Sequence, residues 1–320
     1  MEQVSLFNRN KNKASAGSKR KKQIGNLLMI TAVYFAVFQI AATAAGVVMM
    51  FSQSRANRSL AVLEKSGIPY FVALACGMLV IIAVTSPRLK RKIFAETNVR
   101  MTPVIFVCLL AVMMSGQVIS SLYSSALEAF VNLFGYSVTA QMEAATAHSQ
   151  TFSMLVYASL LGPLSEEIVF RGFLLRGLEP YGKKFAIIIS AYMFGLYHAN
   201  LVQSPFAFLL GLVLGYTAQA YGLKWSFALH VFNNFILGDF MVFMLRNVPT
   251  HQAESISGLI LLTGGLFGCI LLWRKRAVLK GWLRRYQITK PYLRETLLGK
   301  YNIIITTLVF ILACLGLEKL

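Results

Sequence analysis

The stretch "GPLSEEIVFRGFLLRG", residues 162–177, places two adjacent carboxylates and an arginine in an otherwise apolar segment. Glu166, Glu167 and Arg171 are surrounded there by Leu, Ile, Val, Phe and Gly. Charged side chains are costly inside a membrane, so those that occur there are paired or functional. The stretch therefore indicates a membrane-embedded helix that carries a buried polar site.

The composition of the whole chain points the same way. Of its 320 residues, 57% are hydrophobic and only 13% are charged, whereas soluble domains carry about 25% charged residues. The 31 Lys and Arg outnumber the 12 Asp and Glu. In a membrane protein this excess indicates basic loops beside anionic lipids, and we expect no nucleic-acid partner. The cysteines lie in apolar stretches without metal-ligand spacing, which indicates free thiols.

Apolar segments long enough to cross a membrane follow one another along the chain. A transmembrane helix needs about 20 apolar residues. The candidates are residues 27–51, 67–86, 103–123, 151–170, 185–198, 205–222, 226–244, 256–273 and 302–316. The fifth and the ninth are short. The predicted fold class is therefore all-α, a polytopic integral membrane helical bundle with about eight or nine transmembrane helices.

Loop charges predict the orientation and divide the chain into regions. Lys and Arg concentrate in the N-terminal tail and in alternate loops, whereas residues 124–150 have none. Because cytoplasmic loops are enriched in Lys and Arg, we expect a cytoplasmic N-terminus. The predicted regions are a basic cytoplasmic tail (1–23), a two-span scaffold (24–100), a core holding the intramembrane ionisable residues (101–273), and a basic interfacial segment with the last span (274–320).

Polar residues at a spacing of four recur on three of the predicted helices. Glu167 and Arg171 share one helix face and can pair, while Glu166 points about 100° away. In "FGLYH", Phe194 and His198 share a face in the same way. In "HVFNN", the same spacing separates His230 from Asn234, a pair that lies on a third helix.

These side chains form a set suited to hydrolysis. The three helices offer Glu166, His198, His230 and Asn234 to a common interior. A carboxylate and an imidazole can together remove a proton from water. A second imidazole and an amide can donate hydrogen bonds to a developing oxyanion. Each residue taken alone could equally be structural, as an ion pair or an interhelical hydrogen bond. The complete set on three helices favours a hydrolytic site.

The three motifs resemble those of a known family. "EEIVFRG", "FGLYH" and "HVFNN" are similar to the E-E-x-x-x-R, F-x-x-x-H and H-x-x-x-N motifs of the CPBP intramembrane proteases, also called the CAAX protease or Abi family. They occur in the family's order within roughly residues 151–245. The resemblance implies an endopeptidase of the bacterial cell membrane whose substrate is a membrane-associated peptide: a prenylated C-terminus, a leader peptide or another membrane peptide.

The resemblance also implies a role for each motif residue. Glu166 and His198 would activate the water, and Glu167 would orient His198 or be held by Arg171. His230 and Asn234 would form the oxyanion site, with Phe194 as a supporting residue. Zinc is an alternative, since Glu166, His198 and His230 could supply three ligands. The absence of H-E-x-x-H favours a reaction without a cofactor.

Two other classes of function compete with a protease. One is a non-catalytic bacteriocin-immunity or membrane scaffold protein, since self-immunity is associated with the same family. The other is a transporter, because buried Glu, Arg and His can carry ions. The sequence shows no repeated halves with matched broken helices, which disfavours a transporter.

Overall fold

A computed structural model of the chain describes residues 2–52, 65–285 and 290–320. The predicted regions 1–23, 24–100 and 274–320 each include residues outside these ranges. The first helices are α1 (Glu2–Ser52), α2 (Ile68–Val84), α3 (Pro87–Ile93), α4 (Pro103–Asn132), α5 (Thr139–Thr146) and α6 (Phe152–Tyr181). They are followed by α7 (Lys183–Tyr197), α8 (Gln203–Tyr221), α9 (Leu223–Leu245), α10 (Thr250–Arg274), α11 (Arg276–Arg285), α12 (Lys290–Leu297) and α13 (Lys300–Leu315).

Strands are confined to one short antiparallel pair in the described part of the chain. Strand β1 (Tyr136–Ser137) pairs with β2 (Glu318–Lys319), with Tyr136 opposite Lys319. The remainder is helical or connects helices, and each of the nine predicted apolar segments coincides with a helix. The prediction of an all-α polytopic membrane protein is confirmed.

The helices differ in how well they suit a membrane crossing. Within the described ranges, five are both long and apolar enough to span: α1 from Gly17 onward, α4, α6, α9 and α10. Helices α2 and α13 are apolar but shorter. Helices α7 and α8, which cover the fifth and sixth predicted segments, belong to neither group because polar residues interrupt them. Large apolar side chains on the outer faces, such as Val104, Leu122 and Leu259, are exposed and suit contact with lipid.

Small residues let neighbouring helices approach closely, as is common in membranes. On α10, Gly265 faces α4, where the Ser115 hydroxyl donates to its carbonyl at 2.7 Å. Between α7 and α8, a methyl group added at Gly195 would lie 2.9 Å from the carbonyl oxygen of Ser204. Gly195 belongs to the "FGLYH" motif, so the close approach of α7 and α8 fixes the helix that carries His198.

Helix α6 lies in the centre of the bundle and carries the first motif. Its residues Val169, Phe170, Leu174, Leu175 and Leu178 are fully buried. The helix is widened to π geometry at Tyr157–Leu161 and at Glu167–Leu174, and α9 is widened at Phe232–Phe240. Such widened turns are frequent at functional sites. The segment Glu167–Leu174 includes Glu167 and Arg171, and Phe232–Phe240 includes Asn234.

Candidate active site

Glu167 and Arg171 form a buried ion pair in the first motif. Both side chains are 0% exposed, and an Arg171 guanidinium nitrogen lies 2.9 Å from Glu167 Oε1. The guanidinium carbon lies 4.1 Å from the centre of the Phe194 ring on α7. Breaking a buried pair costs about 3–5 kcal/mol because a charge is left uncompensated. The predicted pairing of these two residues is present.

Glu167 also binds two side chains of α9. His230 Nδ1 lies 3.0 Å from Glu167 Oε1, and the Ser226 hydroxyl donates to Glu167 Oε2. Because a carboxylate accepts hydrogen bonds, the proton of this contact is on Nδ1. Glu167 therefore fixes the tautomer and the ring orientation of His230. Sequence reasoning assigned Glu167 to Arg171 or to His198, and the histidine that it contacts is His230.

Glu166 approaches the opposite nitrogen of the same imidazole. Its Oε2 lies 3.6 Å from His230 Nε2. The Glu166 side chain is 14% exposed, whereas that of Glu167 is fully buried. The two adjacent carboxylates thus differ in accessibility, and the side chain of Glu166 is the more exposed of the two. We predicted that they point in different directions, and they reach His230 from its two sides.

His198 lies at the C-terminal end of α7. Its Nδ1 is 2.9 Å from the carbonyl oxygen of Phe194. A carbonyl only accepts, so Nδ1 carries the proton and Nε2 of the neutral ring presents a lone pair. The next residue, Ala199, has φ +46°, in the left-handed region that costs energy for a side chain with Cβ. The chain therefore turns sharply after His198.

The Phe194 ring brings the two histidines to one level of the bundle. Its centre lies 4.9 Å from that of His198 and 5.7 Å from that of His230, in both cases edge to face. The predicted shared face of Phe194 and His198 is present. Among the described residues, no hydrogen bond or ion pair joins Glu166 to His198 directly. A water or a substrate atom between them would complete the predicted pair.

Asn234 ties α9 to the widened turn of α6. Its amide nitrogen donates to the Ala158 carbonyl at 3.0 Å, and its oxygen accepts from Asn233 at 3.0 Å. Gln117 on α4 donates to Asn233 at 2.7 Å. The Asn234 amide has two N–H groups, so the contact with Ala158 leaves one available to a ligand.

Sequence reasoning missed Ser226 and Asp239. Ser226, His230 and Asn234 recur at a spacing of four, and that signal could have identified the serine. Asp239 accepts hydrogen bonds from the Ser149 backbone at 2.6 Å and from the Ser159 hydroxyl at 2.7 Å. It therefore anchors the start of α6 to α9. No sequence spacing indicated this contact, because its partners lie far away along the chain.

A hydrogen-bonded turn supports the position of His198. The Asn200 side chain accepts from the backbone of Val202 and of Gln203 at 2.8 Å each. Gln141 on α5 accepts from the Leu201 backbone at 2.7 Å and donates to the Ala313 carbonyl at 3.0 Å. The turn after His198 is thereby attached both to α5 and to α13.

The zinc alternative can be compared with the donor atoms present. His230 Nδ1 is hydrogen-bonded to Glu167, and its Nε2 faces Glu166. Across residues 2–52, 65–285 and 290–320, no three His, Cys, Asp or Glu side chains are arranged to hold a metal ion. Glu166, His198 and His230 thus do not form such a group in this arrangement.

A known protein family matches the segment that carries the site. Residues 148–236, which carry all three motifs, match the model of the Rce1-like family, described as "Type II CAAX prenyl endopeptidase Rce1-like". The match confirms the resemblance of this segment to the CPBP intramembrane proteases. It supports an intramembrane peptidase at the level of the family.

One curated relative is similar over part of its length. The chain is 32% identical over 117 residues to "Putative membrane peptidase YdiL" of Bacillus subtilis (strain 168). The alignment covers 36% of the chain and 46% of that relative, so the chain spans less than half of the relative's length. No solved structure matches the chain.

Proposed function

We propose that the chain is an intramembrane endopeptidase of the CPBP type. It hydrolyses a peptide bond of a membrane-associated peptide with water that Glu166 activates. The observation that carries the proposal is the imidazole of His230, which lies between a buried, paired Glu167 and a more accessible Glu166. A purely structural cluster would need only the ion pair of Glu167 with Arg171. Glu166 and His198, which such a pair does not require, then have catalytic roles.

The first step is attack by water on the scissile carbonyl carbon. Glu166 accepts one proton of the water while the water oxygen bonds to that carbon. His198 holds the water through its Nε2 lone pair, which the contact of Nδ1 with the Phe194 carbonyl leaves free. Placing the water between two acceptors aligns it for attack and lowers the entropic barrier of the reaction.

The second requirement is stabilisation of the negative charge on the former carbonyl oxygen. In the form of its ring that carries a proton on both nitrogens, His230 donates from Nε2 to this oxygen, while Nδ1 donates to Glu167. Asn234 donates with the amide hydrogen that Ala158 does not use. The intermediate then collapses as the C–N bond breaks. Glu166 returns its proton to the leaving amine, and the products are a carboxylic acid and an amine.

The substrate is membrane-associated, and two classes suit it: a prenylated C-terminal peptide and a leader peptide. The basic residues of α11, among them Arg284 and Arg285 in its last turn, suit contact with anionic lipids on the cytoplasmic side. We propose that the N-terminus of α1 lies in the cytoplasm of a bacterial cell, as the distribution of loop charges favours.

Cleavage assays with matched variants test the proposal. The probes are two internally quenched peptides in lipid vesicles, one ending in a farnesylated C-a-a-X sequence and one without the prenyl group. Glu166→Gln and His198→Ala are each expected to lower kcat at least about 100-fold. Glu179→Gln, which alters a glutamate paired with Arg176 at 2.7 Å outside the site, serves as the control. Full activity of both site variants would refute the proposal.

The alternatives predict different results. An immunity or scaffold protein would protect cells against a bacteriocin equally well with Glu166→Gln and His198→Ala. A zinc enzyme would copurify with one equivalent of metal and lose activity with a chelator. For the proposed reaction, we expect unchanged activity after chelation and no stoichiometric zinc by elemental analysis.

A further inference from the structure

A chain of three side-chain amides runs from α4 to α9 and ends on α6. Gln117 Nε2 donates to Asn233 Oδ1 at 2.7 Å, and Asn233 Nδ2 donates to Asn234 Oδ1 at 3.0 Å. Asn234 Nδ2 then donates to the Ala158 carbonyl at 3.0 Å. The last side chain of this amide chain is therefore the one whose second N–H group serves the proposed oxyanion site.

The Ala158 carbonyl determines the orientation of every amide in the chain. A backbone carbonyl only accepts hydrogen bonds, so Asn234 must turn its nitrogen toward it. The Asn234 oxygen then accepts from Asn233, whose own oxygen accepts from Gln117. Each amide has one orientation that satisfies its neighbours, and in that orientation the Asn234 oxygen is occupied.

The sequence of α6 explains why the Ala158 carbonyl is available to a side chain. Ala158 lies in the widened turn Tyr157–Leu161, where a carbonyl pairs with the N–H group five residues later. For Ala158 that residue is Pro163, which has no N–H group. The N–H of Gly162 donates to the Tyr157 carbonyl. Asn234 supplies the donor that the helix backbone lacks.

The other end of the amide chain is positioned by aromatic packing between α4 and α9. The Phe106 ring meets those of Trp225 and Phe232 edge to face, with ring centres 6.0 and 6.4 Å apart. Phe106 and Gln117 are eleven residues apart, which is about three helical turns, so they lie on the same face of α4. The contacts that hold α4 against α9 therefore also place Gln117 beside Asn233.

The side-chain oxygen of Gln117 is buried and has no hydrogen-bond partner in the described ranges of the chain. An unpartnered buried acceptor is unfavourable, whereas apolar side chains could join α4 to α9 without this cost. Unsatisfied polar groups are rare in native structures and call for an explanation. The hydrogen bond that Gln117 donates to Asn233 provides one.

We propose that Gln117 and Asn233 are positioning residues for Asn234. They hold its oxygen, so that the amide cannot turn over and present an acceptor to the oxyanion. The second N–H group of Asn234 thus stays available to the developing negative charge. The proposal rests on the proposed peptidase function. It also makes α4, which lies outside the matched segment 148–236, a part of the active unit.

The test is Gln117→Leu in the full chain, measured in vesicles with the quenched peptides described above. We expect kcat to fall about 10-fold with KM nearly unchanged, because the oxyanion forms only on the way to the transition state. The unfolding midpoint should change little, since the substitution removes a hydrogen bond and an unpartnered buried oxygen together. Gln117→Met, which keeps the length and flexibility of the side chain, should show the same loss of kcat.

Gln219→Leu is the matched control. It makes the same chemical change at a glutamine of α8 that donates to the Lys183 carbonyl at 3.1 Å, at the start of α7. This hydrogen bond also joins two helices but does not involve Asn234, so kcat should equal that of the parent protein. A loss of kcat in Gln219→Leu as large as that in Gln117→Leu would overturn the proposal.

A double variant distinguishes positioning from a general structural role. Asn233→Ala interrupts the amide chain at its middle member, so adding Gln117→Leu to it should lower kcat no further. Independent structural effects would instead multiply, and that result would overturn the proposal.

Glu166→Gln separates the positioning role from the peptidase itself. If Glu166→Gln is inactive but Gln117→Leu or Gln117→Met has the parent kcat, the positioning role is wrong and the peptidase stands. If Glu166→Gln is fully active, the peptidase itself is wrong.

Discussion

Glu167 Oε1 and His230 Nδ1 lie 3.0 Å apart, with neither side chain more than 3% exposed. This contact joins the first motif, on α6, to the third motif, on α9. Because it fixes the proton on Nδ1, it leaves Nε2 directed at Glu166. The difference between the two adjacent glutamates follows from it: Glu167 holds His230, and Glu166 keeps the more accessible oxygens that the proposed reaction requires.

Glu167→Gln is expected to destabilise the protein strongly. The amide keeps the shape of the side chain but leaves the Arg171 charge buried without a counter-ion, which costs about 3–5 kcal/mol. Unfolding in mixed detergent micelles measures the loss. Glu96→Gln is the control, because its 3.9 Å pair with Lys224 is largely exposed and should contribute less than about 1 kcal/mol. Equal effects of the two substitutions would contradict the buried pair.

Ser226→Ala removes a donor to Glu167. We expect a loss of about 1.5–3 kcal/mol in stability, since the acceptor is a charged, buried group. Cleavage should weaken as well, because the carboxylate that orients His230 becomes less constrained. Ser255→Ala removes an exposed hydroxyl that donates to the His251 carbonyl at 2.8 Å, and should change neither quantity. Parent-like stability of Ser226→Ala would argue against this hydrogen bond.

Phe194→Leu tests the ring shared by the site. Leucine keeps an apolar side chain but removes the aromatic contacts with Arg171, His198 and His230. A desolvated contact between a cation and an aromatic ring contributes about 2 kcal/mol, so both stability and kcat should fall. Phe130→Leu, on an outer face and 58% exposed, is the control. The prediction fails if the two variants have the same kcat.

Ala199→Gly should stabilise the turn after His198. Glycine relieves the strain of φ +46°, and the gain exceeds its entropic cost by about 0.5 kcal/mol. Ala144→Gly provides a control of opposite sign. It lies exposed within α5, where glycine costs about 1 kcal/mol. Comparing each unfolding midpoint with that of the parent protein gives the sign of the change in stability. A destabilised Ala199→Gly would contradict the strained turn.

Prediction from the sequence was most successful where the signal is local. The nine apolar segments coincide with helices because membrane crossing demands a run of apolar residues that can be counted. The pairs Glu167–Arg171 and Phe194–His198 were predicted because a spacing of four places two side chains on one helix face.

What the sequence could not provide depends on contacts between distant helices. We predicted that Glu167 is held by Arg171 or orients His198. The pair with Arg171 is present, and the imidazole beside Glu167 is that of His230, since spacing alone does not tell which of two imidazoles packs beside a carboxylate. The level of His198 relative to His230 depends on how α7 and α9 tilt, and only the packing around Phe194 determines it.

The intrahelical ion pair also bears on how the chain enters the membrane during synthesis. His230 follows Glu167 by 63 residues, so it emerges from the ribosome well after α6. Arg171 is only one helical turn from Glu167, and the two charges can neutralise each other as soon as α6 forms. The insertion cost of this helix is therefore reduced before any partner helix exists. A protein with the same active site but with Arg171 on a later helix would have to insert Glu167 unpaired.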